Sequence, residues 1–205
     1  MDKEQLIREL IEEKWLKSRE AISAFRAVPR EDFVPKEHRK LTYANYPLPI
    51  PGGQTISQPL TVAVMTESLA AGRGDKILEV GAGSGYQAAI LSEIVGPTGK
   101  IITTEIIPEL FEFASRNLRG YENVSVVNTD GSLGYEKEAP YDRIIVTATA
   151  PRMPRPLLEQ LKEGGRLVIP VGDTMVIAEK KNGEISEKFL GYYVFVPLRG
   201  EHGHK

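Results

Sequence analysis

Cysteine is absent from the 205 residues, which excludes disulfide staples, thiolate nucleophiles and cysteine-ligated zinc together. Histidine is nearly as scarce. Of the three, His202 and His204 fall in the last four positions, where a frayed polar end is the ordinary expectation. No metal is therefore expected. No apolar run approaches the roughly 20 residues that a bilayer crossing needs, and no membrane partner is assigned. The N-terminal stretch MDKEQLIREL breaks its apolar residues with charge and lacks the continuous apolar run of a secretory signal. Neither sign of charge dominates. With 26 Lys and Arg against 28 Asp and Glu, the formal net charge is −2, which gives no bulk attraction to nucleic acid. These absences point to a cytoplasmic protein without nucleic acid among its partners; a monomer is expected, although the N-terminal helix could pack on its own domain or on a neighbour. Asparagine is also sparse, at five residues, while Lys and Glu are plentiful; this leans towards a heat-adapted source.

What is present is a chain long enough for one domain with a sizeable core. Residues 3–28 carry apolar side chains at helical spacing (Leu6, Ile7, Leu10, Ile11), and Ser18 stands where it would cap a second helix. Pro29 and Pro35 then break the pattern. The stretch LTYANYPLPIPGGQTISQP follows, and its prolines and paired glycines predict an irregular loop, long enough to suggest function. Beyond Pro59 strands and helices alternate. A helix ending at Gly72 precedes the strand KILEVG, and the helix YQAAILSEIVG precedes the strand KIITTEI. The helix PELFEFASRNLRGY leads to the strand VSVVNTDG. Then come the strand DRIIVTATA, the helix RPLLEQLKEGG and the strand RLVIPVG. That alternation predicts an α/β fold with a mostly parallel twisted sheet covered on both faces. Near the C-terminus, Asn182-Gly183 between two strand-like runs predicts a type I′ hairpin, so the sheet should end in antiparallel strands.

The segment EVGAGSGY lies between a predicted strand and a predicted helix, with glycines at 81, 83 and 85. Dinucleotide binding would want a glycine at 86, which is Tyr86, and no Lys-Ser/Thr pair follows to make a phosphate loop. What remains is G-x-G-x-G preceded by an acid, Glu79. This suits a ligand that carries no phosphate, and S-adenosylmethionine, with its sulfonium and amino-acid head, is such a ligand. Glu105, at the end of the second strand of the alternating series, stands where an acid can accept hydrogen bonds from ribose hydroxyls. Asp130, at the end of the third, is placed to meet the adenine edge. The candidate cofactor set is Ile56, Ser57, Glu79, Gly81, Ala82, Gly83, Gly85, Glu105, Ile106, Asp130 and Gly131.

The stretches FRAVPREDFVP, PGGQTISQP, ILEVGAGSGYQAAIL, TDGSLGYEKEAPYDRIIVTATAP, LKEGGRLVIPVG and FVPL together resemble the protein-L-isoaspartate O-methyltransferases over most of the chain. The glycine loop is shared by many methyltransferases, whereas QTISQP and DGSLGY…APYDRIIVTATAP are more specific. The resemblance implies a Rossmann-like S-adenosylmethionine-dependent methyltransferase fold with an N-terminal helical extension and terminal strands ordered differently from its relatives. On that reading residues 1–58 hold the N-terminal helices and the substrate and active-site loop, packed on a methyltransferase domain of residues 59–205. The implied reaction transfers methyl from S-adenosylmethionine to the free α-carboxylate of L-isoaspartyl residues, with D-aspartyl sites as a second acceptor, and starts repair through a succinimide.

Such an acceptor is ionised at neutral pH and needs no general base, which accords with the lack of a candidate His. The demand falls instead on alignment and on exclusion of water. The hydroxyls of Thr55 and Ser57 can orient a carboxylate without the full ion pair that would blunt its attack, and the resemblance assigns the active role to Ser57. The other reading of Ser57 is a capping hydroxyl for the helix near Pro59. The proline-rich loop and YYVFVPL are expected to frame isoaspartyl peptides and proteins as substrates. Two rival functions are compatible with the glycine loop. A nucleic-acid methyltransferase would want an Asn/Asp-Pro-Pro-aromatic motif where this chain reads TATAPRMP. A non-catalytic cofactor-binding module would bind cofactor and methylate nothing.

Overall fold

The computed structural model describes residues 1–204. Two helices open the chain, α1 (Lys3–Glu12) and α2 (Arg19–Ala27). Asp2 and Gln5 form a reciprocal capping box on α1, and Ser18 caps α2 by accepting from the Ala21 amide. Short 3-10 turns at Arg30–Phe33 and Lys36–Leu41 follow the two prolines. The next stretch departs from expectation. In place of an irregular loop it folds a small hairpin of β1 (Leu48–Ile50) and β2 (Gln54–Ile56), with Pro49 opposite Thr55. Proline is tolerated there because a two-stranded ribbon is all edge, so a missing amide donor need not interrupt a ladder. The paired glycines supply the turn, both at positive φ.

The helix α3 (Pro59–Leu69) starts at its proline and ends earlier than predicted, on Ala70 in a left-handed conformation. After it come β3 (Lys76–Val80), α4 (Tyr86–Val95), β4 (Lys100–Glu105), α5 (Pro108–Asn117), β5 (Val124–Asn128), β6 (Tyr141–Val146), α6 (Arg155–Glu159), β7 (Leu161–Val171), β8 (Thr174–Lys181) and β9 (Glu184–Tyr192). The predicted helix over RPLLEQLKEGG shrinks to the five residues of α6. Leu161 is claimed by β7, pairing with Tyr141, and Lys162 reaches the Asp142 carboxylate at 2.8 Å. Those long-range contacts outweigh local helix preference.

One sheet runs β5-β4-β3-β6-β7-β8-β9, parallel from β5 to β7 and antiparallel through β8 and β9. The last three strands therefore follow sequence order through hairpins, and Asn182 and Gly183 turn the final one with positive φ at both positions. Alternation along each strand sends Ile77, Ile101, Ile145 and Val168 to one face, and Leu78, Ile102, Ile144 and Leu167 to the other. The first face carries α1 to α5; Leu157 of α6 packs on the second. The N-terminal helices share the first core. Phe25 and Phe33 pack against the Tyr86 ring, and Glu67 of α3 accepts from the amides of Lys17 and Ser18 at 2.7 and 2.8 Å.

Candidate active site

The carboxyl ends of parallel strands in an open α/β sheet leave a crevice where the connections diverge to opposite faces. Here that crevice lies between the loop after β3 and the hairpin segment, lined by Thr55, Ile56 and Ser57 on one side and by Glu79, Gly81, Ala82, Gly83, Glu105, Ile106 and Gly131 on the other. The feature singled out for chemistry, the hydroxyl pair, thus stands in the same cleft as the glycine loop. Two predicted residues do not reach the cleft wall, namely Gly85 and Asp130.

The glycine loop is shaped by its neighbours. Gly81 has φ of +94°, and a Cβ there would lie 2.5 Å from the Thr147 hydroxyl, which donates to the Gly81 carbonyl at 2.6 Å. Gly85 has φ of +88° and begins α4 against Leu118, with no room for a side chain. Four of the five loop amides from Gly81 to Gly85 are already engaged. Those of Gly81 and Ala82 donate to the Thr104 carbonyl at 2.9 and 3.0 Å, that of Gly83 to Glu105 Oε2 at 3.0 Å, and that of Gly85 to the Ala82 carbonyl. A phosphate needs free amide donors converging on it. A loop that turns its amides inward onto β4 is built for a ligand held by acceptors.

The acceptors are two buried carboxylates. Glu105 accepts from Gly83 N through Oε2 and from Ile107 N through Oε1 at 2.9 Å, which fixes its plane and leaves each oxygen further lone pairs. Glu79 is wholly buried. The Thr103 hydroxyl donates to its Oε2, while its Oε1 has no protein partner. Loss of water raises the Glu79 carboxyl to about 8, against the Thr103 hydrogen bond and helped by nearby Glu105. A carboxyl orphaned in this way is matched by a cationic donor, and an amino-acid ammonium is one. The residues present therefore fit S-adenosylmethionine: an orphaned acceptor for its ammonium, a fixed carboxylate for vicinal hydroxyls, and the apolar edges of Ile106 and Ile107 beside them.

Asp130 is occupied elsewhere. Its Oδ1 accepts from Ser132 N and Oγ at 2.9 and 2.7 Å, and its Oδ2 from Glu201 N at 2.8 Å. The carboxylate clasps the C-terminal tail, and its neighbour Gly131 lines the cleft in its place, together with Leu198 and Arg199 from that tail. Sequence gave no sign of this, because the partners lie about seventy residues apart.

Ser57 is half-buried and Thr55 exposed. The capping alternative for Ser57 does not hold, since the residue capping α3 is Gln58 and no side chain caps it. The Ser57 carbonyl accepts from Arg30 Nη2 at 2.8 Å. Sequence reasoning singled out neither Tyr86, which lines the cleft, nor Arg30, which is wholly buried and touches the site only through the Ser57 carbonyl. The only sequence signal for Arg30 was a charge next to a proline at the end of an amphipathic helix.

Comparison with known proteins gives a family and a fold. The family model described as Protein-L-isoaspartate(D-aspartate) O-methyltransferase (PCMT) matches residues 1–203. A curated protein of Archaeoglobus fulgidus, named Protein-L-isoaspartate O-methyltransferase 2, is 51% identical, covering 100% of this chain and 96% of its own. One of Methanopyrus kandleri, named Protein-L-isoaspartate O-methyltransferase, is 49% identical over 98% and 92%. A solved structure with that same name superposes with a TM-score of 0.90 at 31% identity, over 98% of this chain and 67% of its own. Another, of a putative protein-L-isoaspartate O-methyltransferase from Plasmodium falciparum in complex with S-adenosyl-L-homocysteine, shares the fold with a TM-score of 0.86 at 23% identity, over 97% and 99%. From its first helix to its C-terminal tail, this chain belongs to the protein-L-isoaspartate (D-aspartate) O-methyltransferase family.

Proposed function

We propose that the cleft is the site at which this protein methylates isoaspartyl residues, with Ser57 and Thr55 as the catalytic pair. The protein is an S-adenosylmethionine-dependent methyltransferase acting on isoaspartyl residues of other proteins. The cofactor supplies one thing when bound, a methyl group made electrophilic by its sulfonium. Everything else falls to the chain. Glu79 Oε1 would receive the ammonium and Glu105 the ribose hydroxyls, and Gly81, Ala82 and Gly83 would let the ligand lie against the backbone. Ile56, Ile106 and Gly131 close round it, while Gly85 shapes the loop and Asp130 the wall behind Gly131.

On the open side, the Thr55 and Ser57 hydroxyls hold the substrate carboxylate by hydrogen bonds. Neutral donors orient the anion without neutralising it, so its attacking lone pair is retained. Enclosure by the hairpin strips water from both partners, which favours a reaction whose charges cancel. No proton has to be removed. The selected feature is a displaced backbone, and the segment 193–196 belongs to no regular element and reaches the cleft at Val196; its Tyr193 amide and Val196 carbonyl are held by Asp173 and Thr149, which leaves the main-chain groups of Val194 and Phe195 to read it. Val194 there is almost fully exposed and Val196 lines the cleft. Methyl esterification then makes the carboxyl a better leaving group, so that ring closure to a succinimide can follow.

The rest of the reading concerns setting. Residues 1–58 supply the hairpin and its support, and residues 59–205 the cofactor half. The protein acts as a monomer in the cytoplasm on flexible protein chains, without nucleic acid or membrane as partner. Among the described residues no helix is long and apolar enough to cross a membrane.

One observation carries the site assignment: Ser57 and the orphaned Glu79 carboxyl line the same cleft. The test uses methyl-labelled S-adenosylmethionine and two peptides that differ only in an isoaspartyl or aspartyl linkage. Alkali-labile label on the isoaspartyl peptide alone is the expected result. Equal label on both peptides, or none on either, overturns the reading.

A further inference from the structure

Arg30 is among the largest fully buried side chains in the molecule, and the reaction described above leaves it without a task. It begins the 3-10 turn after Pro29. Its Nε donates to the Thr42 carbonyl at 2.9 Å and its Nη2 to the Ser57 carbonyl at 2.8 Å. Its guanidinium lies over the Tyr86 ring, 5.0 Å from the centroid. Nη1 has no partner, and among the described residues no carboxylate comes within ion-pairing distance of Arg30. Burial lowers the guanidinium to about 10, so the group is still a cation at neutral pH.

A buried cation without a carboxylate partner is costly, and an apolar side chain of similar volume is often the more stable filling. Packing alone therefore does not account for an arginine at this place. What the arginine provides is a planar fork that reaches two carbonyls fifteen residues apart (57 − 42). Those carbonyls stand at the two ends of the segment that carries the hairpin. Between β2, which ends at Ile56, and α3, which begins at Pro59, Ser57 belongs to no regular element, and α3 has no side-chain cap to fix the junction.

We infer that Arg30 is a positioning residue for methyl transfer: by fixing the Ser57 carbonyl while anchoring Thr42, it sets the direction in which the Ser57 hydroxyl enters the cleft. The inference rests on Ser57 being the catalytic hydroxyl. A peptide plane held at its oxygen cannot swing, and the side chain one bond away inherits that restraint. Displacement of a reacting group by about 1 Å can lower a rate about 100-fold. A lysine keeps the charge and reaches one carbonyl, whereas a methionine keeps only the volume.

The test is a double-mutant cycle on the full chain, with steady-state methylation of an isoaspartyl peptide measured well below the melting temperature of every variant. Ser57→Ala alone is expected to lower kcat while S-adenosylhomocysteine binding persists. Arg30→Lys is expected to lower kcat about 10-fold and Arg30→Met about 100-fold in the otherwise native chain. Each loss should shrink to less than 2-fold in the Ser57→Ala background, because nothing then remains to be aimed. If the factors multiply in both backgrounds, Arg30 supports the fold and does not act through Ser57, and the inference fails. It fails equally if folded Arg30→Lys keeps the native kcat. Should Arg30→Met not fold, Arg30→Lys completes the cycle. An inactive native chain would instead defeat the functional reading, and native activity unaltered by Ser57→Ala would defeat the assignment of that residue.

Discussion

Glu79 brings the physics of the site down to one atom. Its Oε1 is buried without a partner, and its carboxyl stands at about 8 where an exposed one would stand near 4.5. An acid with a raised folded pKa binds its proton more tightly when folded. Its contribution to stability is therefore fully present below about 4.5 and is lost as pH rises through about 8. Glu79→Gln cannot ionise, so its melting temperature without cofactor should gain on that of the native protein from about pH 5 to about pH 8 and level off above that. An ammonium brought to Oε1 favours the ionised carboxyl and drives the proton off. Calorimetric titration with S-adenosylhomocysteine at pH 7, in two buffers of different ionisation heat, should show up to about one proton released by the native chain and none by Glu79→Gln. Equal release from both would place the titrating group elsewhere. At this scale the sequence was informative where chemistry is local. The acid before the glycines and the acid closing β4 could be found by spacing from one motif. Tyr86 in the cleft wall and the Arg30 contact with the Ser57 carbonyl could not, because both arise from burial against segments far along the chain.

At the scale of elements, the wall behind Gly131 depends on a tail that carries no motif. Leu198 N donates to the Thr149 carbonyl, His202 N to Ser132 Oγ, and Glu201 N to Asp130. Gly200 makes the last contact feasible: it has φ of +125°, and a Cβ there would lie 2.0 Å from Asp130 Oδ1. Gly200→Ala must lift the tail or turn the carboxylate away, at a cost of about 1–3 kcal/mol for the strained backbone. Hydrogen exchange across residues 198–204 should quicken. Affinity for S-adenosylhomocysteine should fall about 10-fold, since Gly131, Leu198 and Arg199 line the cleft. Native protection of the tail in the variant would show that the clasp does not hold it. The alternating elements from β3 to β7 were legible because each has its own period and punctuation. The hairpin of β1 and β2 was hidden by prolines that read as loop signals, although a two-stranded ribbon leaves room for them. The premature end of α6 was hidden too, since the pull on Leu161 and Lys162 comes from β6 and not from the local sequence.

Across the whole molecule, the division at residue 58 has to be weighed against a core that ignores it. Leu6, Ile7, Leu10, Leu16, Phe25 and Val28 belong to the same buried cluster as Ala88, Ile90 and Leu91 of α4 and Ile77 and Ile101 of the sheet. Each large apolar side chain contributes about 1.5–3 kcal/mol when fully buried, and a domain's net stability is only about 5–15 kcal/mol. Deleting residues 1–28 also removes the entropy cost of ordering them. The apolar surface they cover on α3 and α4 remains, however, and so does Glu67, left without the amides of Lys17 and Ser18. The Tyr86 ring would lose Phe25 on its outer side and with it part of the packing that sets the cleft wall. A chain of residues 29–205 is thus expected to lose its single sharp thermal transition and to bind an apolar dye at temperatures where the full chain does not. A shortened chain that melts as cooperatively and as high as the full one would make the first two helices an appendage. Cooperative loss would mean that the helices, the hairpin and the cofactor half fold as one body, so that the alignment of Ser57 over the cleft is a property of the entire chain.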